Sequence, residues 1–199
     1  MEHLVKNYPA IVISVDTYRA NVAKEAVRNG ASIVNDISGG TMDSKMFETV
    51  AALKVPYILM HIQGTPDTMQ VNPQYTSVVK EVEEFFTAQI EKLRKAGVKD
   101  IIIDPGFGFG KTVEHNYTLL KNLHHFKMFG LPIMAGVSRK SMINKVLKTK
   151  PENALTGTIA LKTLALMEGA TILRVHDVKE AKEVIKLVTQ FMHPETSHL

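Results

Sequence analysis

Six apolar runs of strand length, each closing on a polar residue and each followed by a helical pattern, constrain this chain more than any other feature. The runs cover residues 11–15, 31–34, 55–60, 100–103, 131–137 and 171–175. The polar groups at their carboxyl ends are Asp16, Asn35, His61, Asp104, Lys140 (just past the strand) and His176. Helical patterns follow at 22–29, 45–53, 77–96, 117–123, 140–147, 154–168 and 179–191. The runs are short and nearly continuous in apolar character, as expected of parallel strands buried on both faces. Strand–helix alternation with right-handed crossovers leaves two architectures, an open doubly wound sheet or part of a closed barrel. An open sheet needs special chemistry at few strand ends, because its ligand sits at one switch point. A (β/α) barrel gathers the carboxyl ends of all its strands at one mouth. Nearly every strand end carries chemistry here, which favours a TIM-type barrel. Such a barrel has eight βα units and the sequence shows six, so an incomplete barrel is expected.

The chain has 199 residues, enough for one domain with a sizeable core. A complete barrel takes roughly 250 residues, so the length is short for one. The reading is a single barrel domain over 1–192 followed by a polar, mobile tail over 193–199. The net charge is +4, with Lys and Glu alternating along helical faces. That pattern describes solvated helix surface rather than a nucleic-acid stripe. A local positive field for an anionic substrate is compatible with it. The absence of Cys excludes disulfides and thiolate metal sites. No apolar run approaches the roughly 20 residues of a membrane span, and the first residues lack the apolar core of a signal peptide. The expectation is a cytoplasmic protein with no membrane or nucleic-acid partner.

The most distinctive segment is Asp104-Pro105-Gly106-Phe107-Gly108-Phe109-Gly110-Lys111-Thr112. It is not a P-loop, because the first glycine of that motif falls on Pro105, and not a dinucleotide fingerprint, because the third glycine falls on Lys111. What remains is a strand ending in Asp and a glycine-rich turn that brings two Phe rings close to a ligand. The plain alternative is a turn in which Asp104 bonds its own backbone. Asp16-Thr17 reads equally well as a helix cap, Asn35-Asp36 as turn chemistry, and His61 as a satisfied core histidine. Ser138-Arg139-Lys140-Ser141 passes from strand to helix, where free backbone N–H groups favour an anion and Arg139 and Lys140 reinforce it. Alternation puts Arg174 and His176 on one side of the last strand. An arginine in a barrel mouth is costly unless it meets an anion or stacks on a ring. The alternative pairs Arg174 with a neighbouring carboxylate and makes Asp177 a helix cap. His124-His125 reads as surface, and no His/Asp/Glu spacing suggests a tight metal site.

Carboxylates and an amide recognise several N–H donors on one edge of a flat ligand. A lysine suits a ring carbonyl, and an arginine suits a ring face or a phosphate. A 2-amino-4-oxo-pteridine has these features, and so does guanine.

The motifs add to this. Ser14-Val15-Asp16-Thr17, Asn35-Asp36-Ile37-Ser38-Gly39-Gly40, Met60-His61-Ile62-Gln63-Gly64, the segment from Asp104 to Lys111, Gly136-Val137-Ser138-Arg139-Lys140-Ser141 and Arg174-Val175-His176-Asp177 together resemble the dihydropteroate synthases. The resemblance spans nearly the whole chain. It implies a barrel that condenses 6-hydroxymethyl-7,8-dihydropterin diphosphate with p-aminobenzoate, giving 7,8-dihydropteroate and pyrophosphate. It implies that Asp16, Asn35 and Asp104 bind the donor edge of the pterin and that Lys140 reaches its carbonyl and ring nitrogen. Met60 and Arg174 would flank the ring, and Arg174 and His176 would meet the diphosphate. Phe109, Lys140 and Ser141 would hold p-aminobenzoate, and Gly136 belongs to the same substrate-binding set. Asp16, Lys140, Arg174 and His176 would be the catalytic members. The family also works with Mg2+ and as a homo-oligomer, expected here as a homodimer. Its usual two amino-terminal βα units, whose loops serve the magnesium-diphosphate and close over the substrates, have no counterpart in this sequence. The expectation is therefore an amino-terminally truncated form with impaired turnover. Two other readings compete: a related pterin-binding methyltransferase domain, and a remnant that holds pterin without turning it over.

Overall fold

The computed structural model describes residues 1–196. A short helix α1 (Glu2–Asn7) leads into β1 (Ser14–Asp16), α2 (Ala20–Arg28), β2 (Ile33–Asp36), α3 (Met46–Leu53), β3 (Tyr57–Met60), α4 (Val78–Ala96) and β4 (Ile101–Asp104). The chain continues through α5 (Val113–Lys121), β5 (Met134–Ala135), α6 (Ser141–Leu147), α7 (Leu155–Met167), β6 (Ile172–Leu173) and α8 (Val178–Met192). Short 3-10 helices occupy Leu123–Phe129, Pro151–Asn153 and Pro194–Thr196. The expected polar tail therefore contains one 3-10 turn, and its last three positions, 197–199, lie outside the described residues.

Every strand pairing is parallel. β1, β2, β3 and β4 lie side by side in sequence order, and β5 pairs with β6. A parallel bridge between Ile103 and Ile133 joins the two sets, and the Ile103 N–H donates to Pro132 O at 3.0 Å. Among the described residues the outer edges of β1 and β6 have no strand partner. Burial follows this order. All four residues of β3 are buried, whereas Ser14 and Asp16 of β1 are exposed and β6 is half-buried.

Local chemistry sets the helix bounds. In α4 the apolar spacing buries Val78, Val82, Phe86 and Leu93 on one face, and Gly97 at φ 94° closes the helix in the left-handed region. Glu81 reaches back to accept from the N–H groups of Thr76 and Ser77 at 2.7 and 3.0 Å. Phe86 is fully buried and meets Phe126 edge-on at 5.6 Å, so truncating it to Ala would cost about 3–5 kcal/mol. Helix α5 begins at Val113, four residues before the start expected at 117. Thr112 forms a capping box with His115, and a histidine at that third position is not the usual Glu or Gln. His124 and His125, expected in a loop, lie in the 3-10 helix after α5 and pair with Glu168 and Glu83.

The strands are shorter than the apolar runs. Ile11 and Val12 precede β1 in exposed positions, and only two residues of the 131–137 and 171–175 runs form ladder strands. Each strand still delivers the residue at its carboxyl end to one edge of the sheet.

Candidate functional site

Two groups of side chains form at that edge. Asp16, the last residue of β1, receives the amide of Asn35 on Oδ1 at 2.7 Å and the guanidinium of Arg174 on Oδ2 at 2.5 Å. Asn35 is almost wholly buried, and its Oδ1 has no hydrogen-bond partner. A buried acceptor left unpaired costs roughly 1–3 kcal/mol, which a donor on a ligand would recover. Asp36 has a different task. Its carboxylate accepts from Ser38 N, Ser38 Oγ, Gly40 N and Tyr57 Oη, so it builds the turn after β2. The Asn35-Asp36 pair thus divides between the mouth and the scaffold.

The second group centres on Asp104 at the end of β4. It is buried and accepts from Gly106 N at 2.8 Å, the turn bond anticipated as its plain alternative. Burial raises its pKa, while Lys140, the Gly106 N–H, Lys111 and Arg174 pull it down. One buried carboxylate thus sits in the field of three cations. Lys140 is still partly exposed by area, yet its dense surroundings lower its pKa to about 8, against the opposing pull of Asp104. Its Nζ donates to Phe107 O and lies 4.7 Å from the centre of the Phe109 ring. Gly136 leaves open the space between Arg174 and Lys140. A Cβ there would stand 3.7 Å from Arg174 Cβ and 3.8 Å from Lys140 Nζ.

A cavity of about 350 Å³ lies against the first group, bordered by Asp16, Thr17, Tyr18, Arg19, Ile37 and Arg174, and touches the second through Phe109. A larger hollow of about 840 Å³ flanks Val15, Val22 and Ala26 near α1, but none of the strand-end groups borders it. The smaller cavity is lined by an acceptor carboxylate (Asp16), two guanidinium groups (Arg19 and Arg174) and an aromatic residue (Phe109). That combination suits a flat, donor-bearing, anionic ligand.

The other expected positions differ in exposure. Met60 is buried and pairs in register with Asp104. Ser141 is exposed at the first position of α6. His176 is exposed, and its backbone N–H donates to Ser138 Oγ at 3.3 Å. Arg139, expected to reinforce an anion site, is committed elsewhere. It grips Asp177 through Nε at 3.1 Å and Nη2 at 2.8 Å, and its Nη1 donates to the carbonyls of Pro151 and Glu152. Asp177 therefore serves as an ion-pair partner, with no side-chain bond capping α8. His61 is buried, as the plain reading had it, and its Nδ1 lies 2.9 Å from Lys111 Nζ. Burial, and then the Lys111 charge, hold His61 well below its usual pKa. Lys111 closes the Asp104–Thr112 motif, and the sequence alone assigns it no role. The signal available was a lysine closing a turn of three glycines, all at positive φ (71°, 83° and 63°).

Among the described residues no three His, Asp or Glu side chains converge as a metal site, and no helix is long and apolar enough to cross a membrane.

Comparison with known proteins shows what the chain is similar to. A family model described as pterin binding enzyme matches residues 1–176. The dihydropteroate synthase of Escherichia coli (strain K12) is 44% identical over 178 residues, covering 88% of this chain and 63% of that protein. The chain therefore spans less than two thirds of that relative's length. The crystal structure of the Yersinia pestis dihydropteroate synthase in a sulfonamide drug complex is similar at a TM-score of 0.93 and 38% identity, covering 98% of this chain and 71% of that one. A dihydropteroate synthase from Coxiella burnetii, in complex with pteroic acid, is similar at a TM-score of 0.89 and 40% identity, again over 98% and 71%.

Proposed function

The chain belongs to the pterin binding enzyme family, and from that premise we propose that it is the core of a dihydropteroate synthase, a transferase of folate biosynthesis. The observation that carries the reading is the convergence of the Asn35 amide and the Arg174 guanidinium on Asp16, at a cavity that Asp16, Phe109 and Arg174 border, with Asn35 Oδ1 buried and unpartnered. In this reading the six βα units belong to a (β/α) barrel whose mouth is the strand-end site. Asp104 and Asn35 accept from the donor edge of the pterin, and Lys140 donates to its carbonyl. Met60 and Arg174 flank the ring, with Gly136 leaving room for them. Phe109, Lys140 and Ser141 receive p-aminobenzoate. Arg174 and His176 meet the diphosphate.

The reaction needs no protein nucleophile. The bond from the pterin methylene to the diphosphate oxygen breaks, and its electron pair leaves with the diphosphate. The lone pair of the aryl amine forms the new C–N bond, and the amine then releases a proton to solvent. Positive charge develops on the methylene as the diphosphate departs. A diphosphate carries more charge than one carboxylate and draws Arg174 from Asp16. The released carboxylate then faces the developing cation. The Asp16 carboxylate stays fixed at the end of β1 and only its partner is exchanged, so the stabilisation is electrostatic, with substrate positioning supplying much of the rest. No residue of this chain is assigned to Mg2+, which we take to arrive with the diphosphate of the substrate.

We also propose that the protein is cytoplasmic and self-associates as a homodimer. A groove of about 340 Å³ between α7 and α8, lined by Ile159, Met167, Val184, Leu187 and Phe191, supports the second point. Leu187 and Phe191 are 72% and 70% exposed, and exposed apolar patches of this kind mark association surfaces.

The test is formation of dihydropteroate from the pterin diphosphate, p-aminobenzoate and magnesium, run beside a pterin titration. Product together with pterin binding supports the proposal. Pterin binding without product assigns the chain a binding role only, and absence of both removes the reading.

A further inference from the structure

The turn over residues 106–110 has an unusual arrangement of acceptors. Each of its five consecutive carbonyls is held by a side chain. Lys111 Nζ donates to Gly106 O and to Phe109 O, both at 3.0 Å. Lys140 Nζ donates to Phe107 O. Gln70 Nε2 donates to Gly108 O at 2.8 Å, and Tyr75 Oη to Gly110 O at 2.8 Å. Lys111 is the centre of the set. It is 4% exposed, and its ammonium has three protons for three close acceptors, the third being His61 Nδ1 at 2.9 Å. His61 therefore presents a lone pair on Nδ1 and carries its ring proton on Nε2.

The same turn is pressed against the segment after β3. A Cβ on Gly106 would lie 1.9 Å from His61 O, and one on Gly110 would lie 2.3 Å from Gln63 O. Backbone so close to backbone leaves little room for water to satisfy inward carbonyls, and a buried unpaired carbonyl is costly. Gly106 O already accepts from Phe109 N at 3.1 Å, and Lys111 supplies its second donor and a donor for Phe109 O from within the protein. Its reach from the end of β3 to the Phe109 carbonyl ties two strand-end loops together, and the Phe109 ring borders the cavity.

We propose that Lys111 is a positioning residue: its ammonium clamps the 106–110 turn onto His61 and thereby sets the Phe109 ring where the aryl amine is received. The identity of that ligand rests on the function proposed above, whereas the clamp does not.

The experiment is run at about pH 6, below the Lys111 pKa of about 7, on the full chain labelled with 4-fluorophenylalanine, with the Phe109 fluorine signal assigned by its loss in Phe109→Leu. In Lys111→Met the Phe109 signal should shift and broaden. Affinity for pteroic acid, which carries the aryl amine, should fall tenfold or more. Affinity for 6-hydroxymethylpterin, which lacks it, should change less than twofold. The chain has no Cys, so Lys111→Cys can be aminoethylated in denaturant as its sole thiol and refolded. Restoring the amine in this way should restore both the signal and the pteroic acid affinity. An unmoved Phe109 signal in Lys111→Met, or equal weakening of both ligands, would overturn the proposal. If Lys111→Met does not fold, His61→Leu decides, because it removes the Nδ1 anchor just after β3, leaving the lysine and only a long 3.4 Å contact to the carbonyl of residue 61. An unmoved Phe109 signal there overturns the clamp. If wild type binds neither ligand, the proposed function fails, while the fluorine signal still decides the role of Lys111.

Discussion

Arg174 Nη2 donates to Asp16 Oδ2 at 2.5 Å, joining residues 158 positions apart at opposite ends of the strand order. Both side chains are about half exposed. An ion pair in that setting is worth less than about 1 kcal/mol to folding. Arg174→Gln should therefore leave denaturant stability within about that margin. Its effect should fall on binding: the pterin diphosphate should lose its advantage over the bare pterin alcohol, an advantage that added salt erodes in wild type. Calorimetric titration of both compounds at low and high salt reads this. Equal affinity of wild type for both at low salt would contradict the assignment.

The buried lysines give the protein a pH signature. Burial lowers Lys111 to about 7, with Asp104 opposing and Lys140 assisting, and lowers Lys140 to about 8. Each lysine is deprotonated in the folded state at a pH where the unfolded chain still holds its proton. The unfolded state thus binds more protons between about pH 7 and 10.5, and stability rises with pH there. One such group contributes at most about 1.4 kcal/mol per pH unit. Tyr57 and Tyr75, whose pKa values are raised mainly by burial, act in the opposite sense at higher pH. The comparison therefore belongs below about pH 9.5. Urea midpoints should climb more steeply with pH in wild type than in Lys111→Met. Parallel curves would show that Lys111 does not titrate in this window.

The α7–α8 groove predicts the outcome of a charge placed on it. Phe191→Glu should shift the mass in solution from dimer to monomer, as read by light scattering at several concentrations. Wild type that is monomeric throughout would remove the homodimer proposal and leave the site proposals intact.

Much of this fold is legible in the sequence because parallel strands and amphipathic helices have different periods, and a polar residue closing an apolar run is conspicuous. The strand ends at Asp16 and Asp104 follow from that alone, whereas β2 runs one residue past Asn35 and ends at Asp36. The division of work between Asn35 and Asp36 does not follow, because the partner that commits Asp36 to the scaffold is Tyr57, 21 residues away. Arg139 looked like an anion ligand beside Lys140, yet Asp177, 38 residues on, takes it. Lys111 was hardest to read, since three of its contacts are backbone carbonyls and carbonyls leave no mark on a sequence. The early start of α5 was hidden for a related reason: the residue completing its capping box is a histidine.

The central claim is that Asp104 and Asn35 receive the donor edge of a pterin. Asp104→Asn keeps an acceptor for Gly106 N but exchanges carboxylate acceptors for a donor and one oxygen. Asn35→Leu removes the unpartnered Oδ1 and keeps the branch at Cγ; its bulkier methyl groups at a buried position should cost about 1–3 kcal/mol of stability, while half-exposed Asp16 can pair with water instead. The decisive measurement is calorimetric titration of 6-hydroxymethylpterin into wild type and both variants, each verified as folded by its unfolding transition. The account predicts measurable binding to wild type and a loss of roughly 1–3 kcal/mol in each variant, about 5- to 150-fold in affinity. Wild-type affinity retained in both folded variants would contradict it.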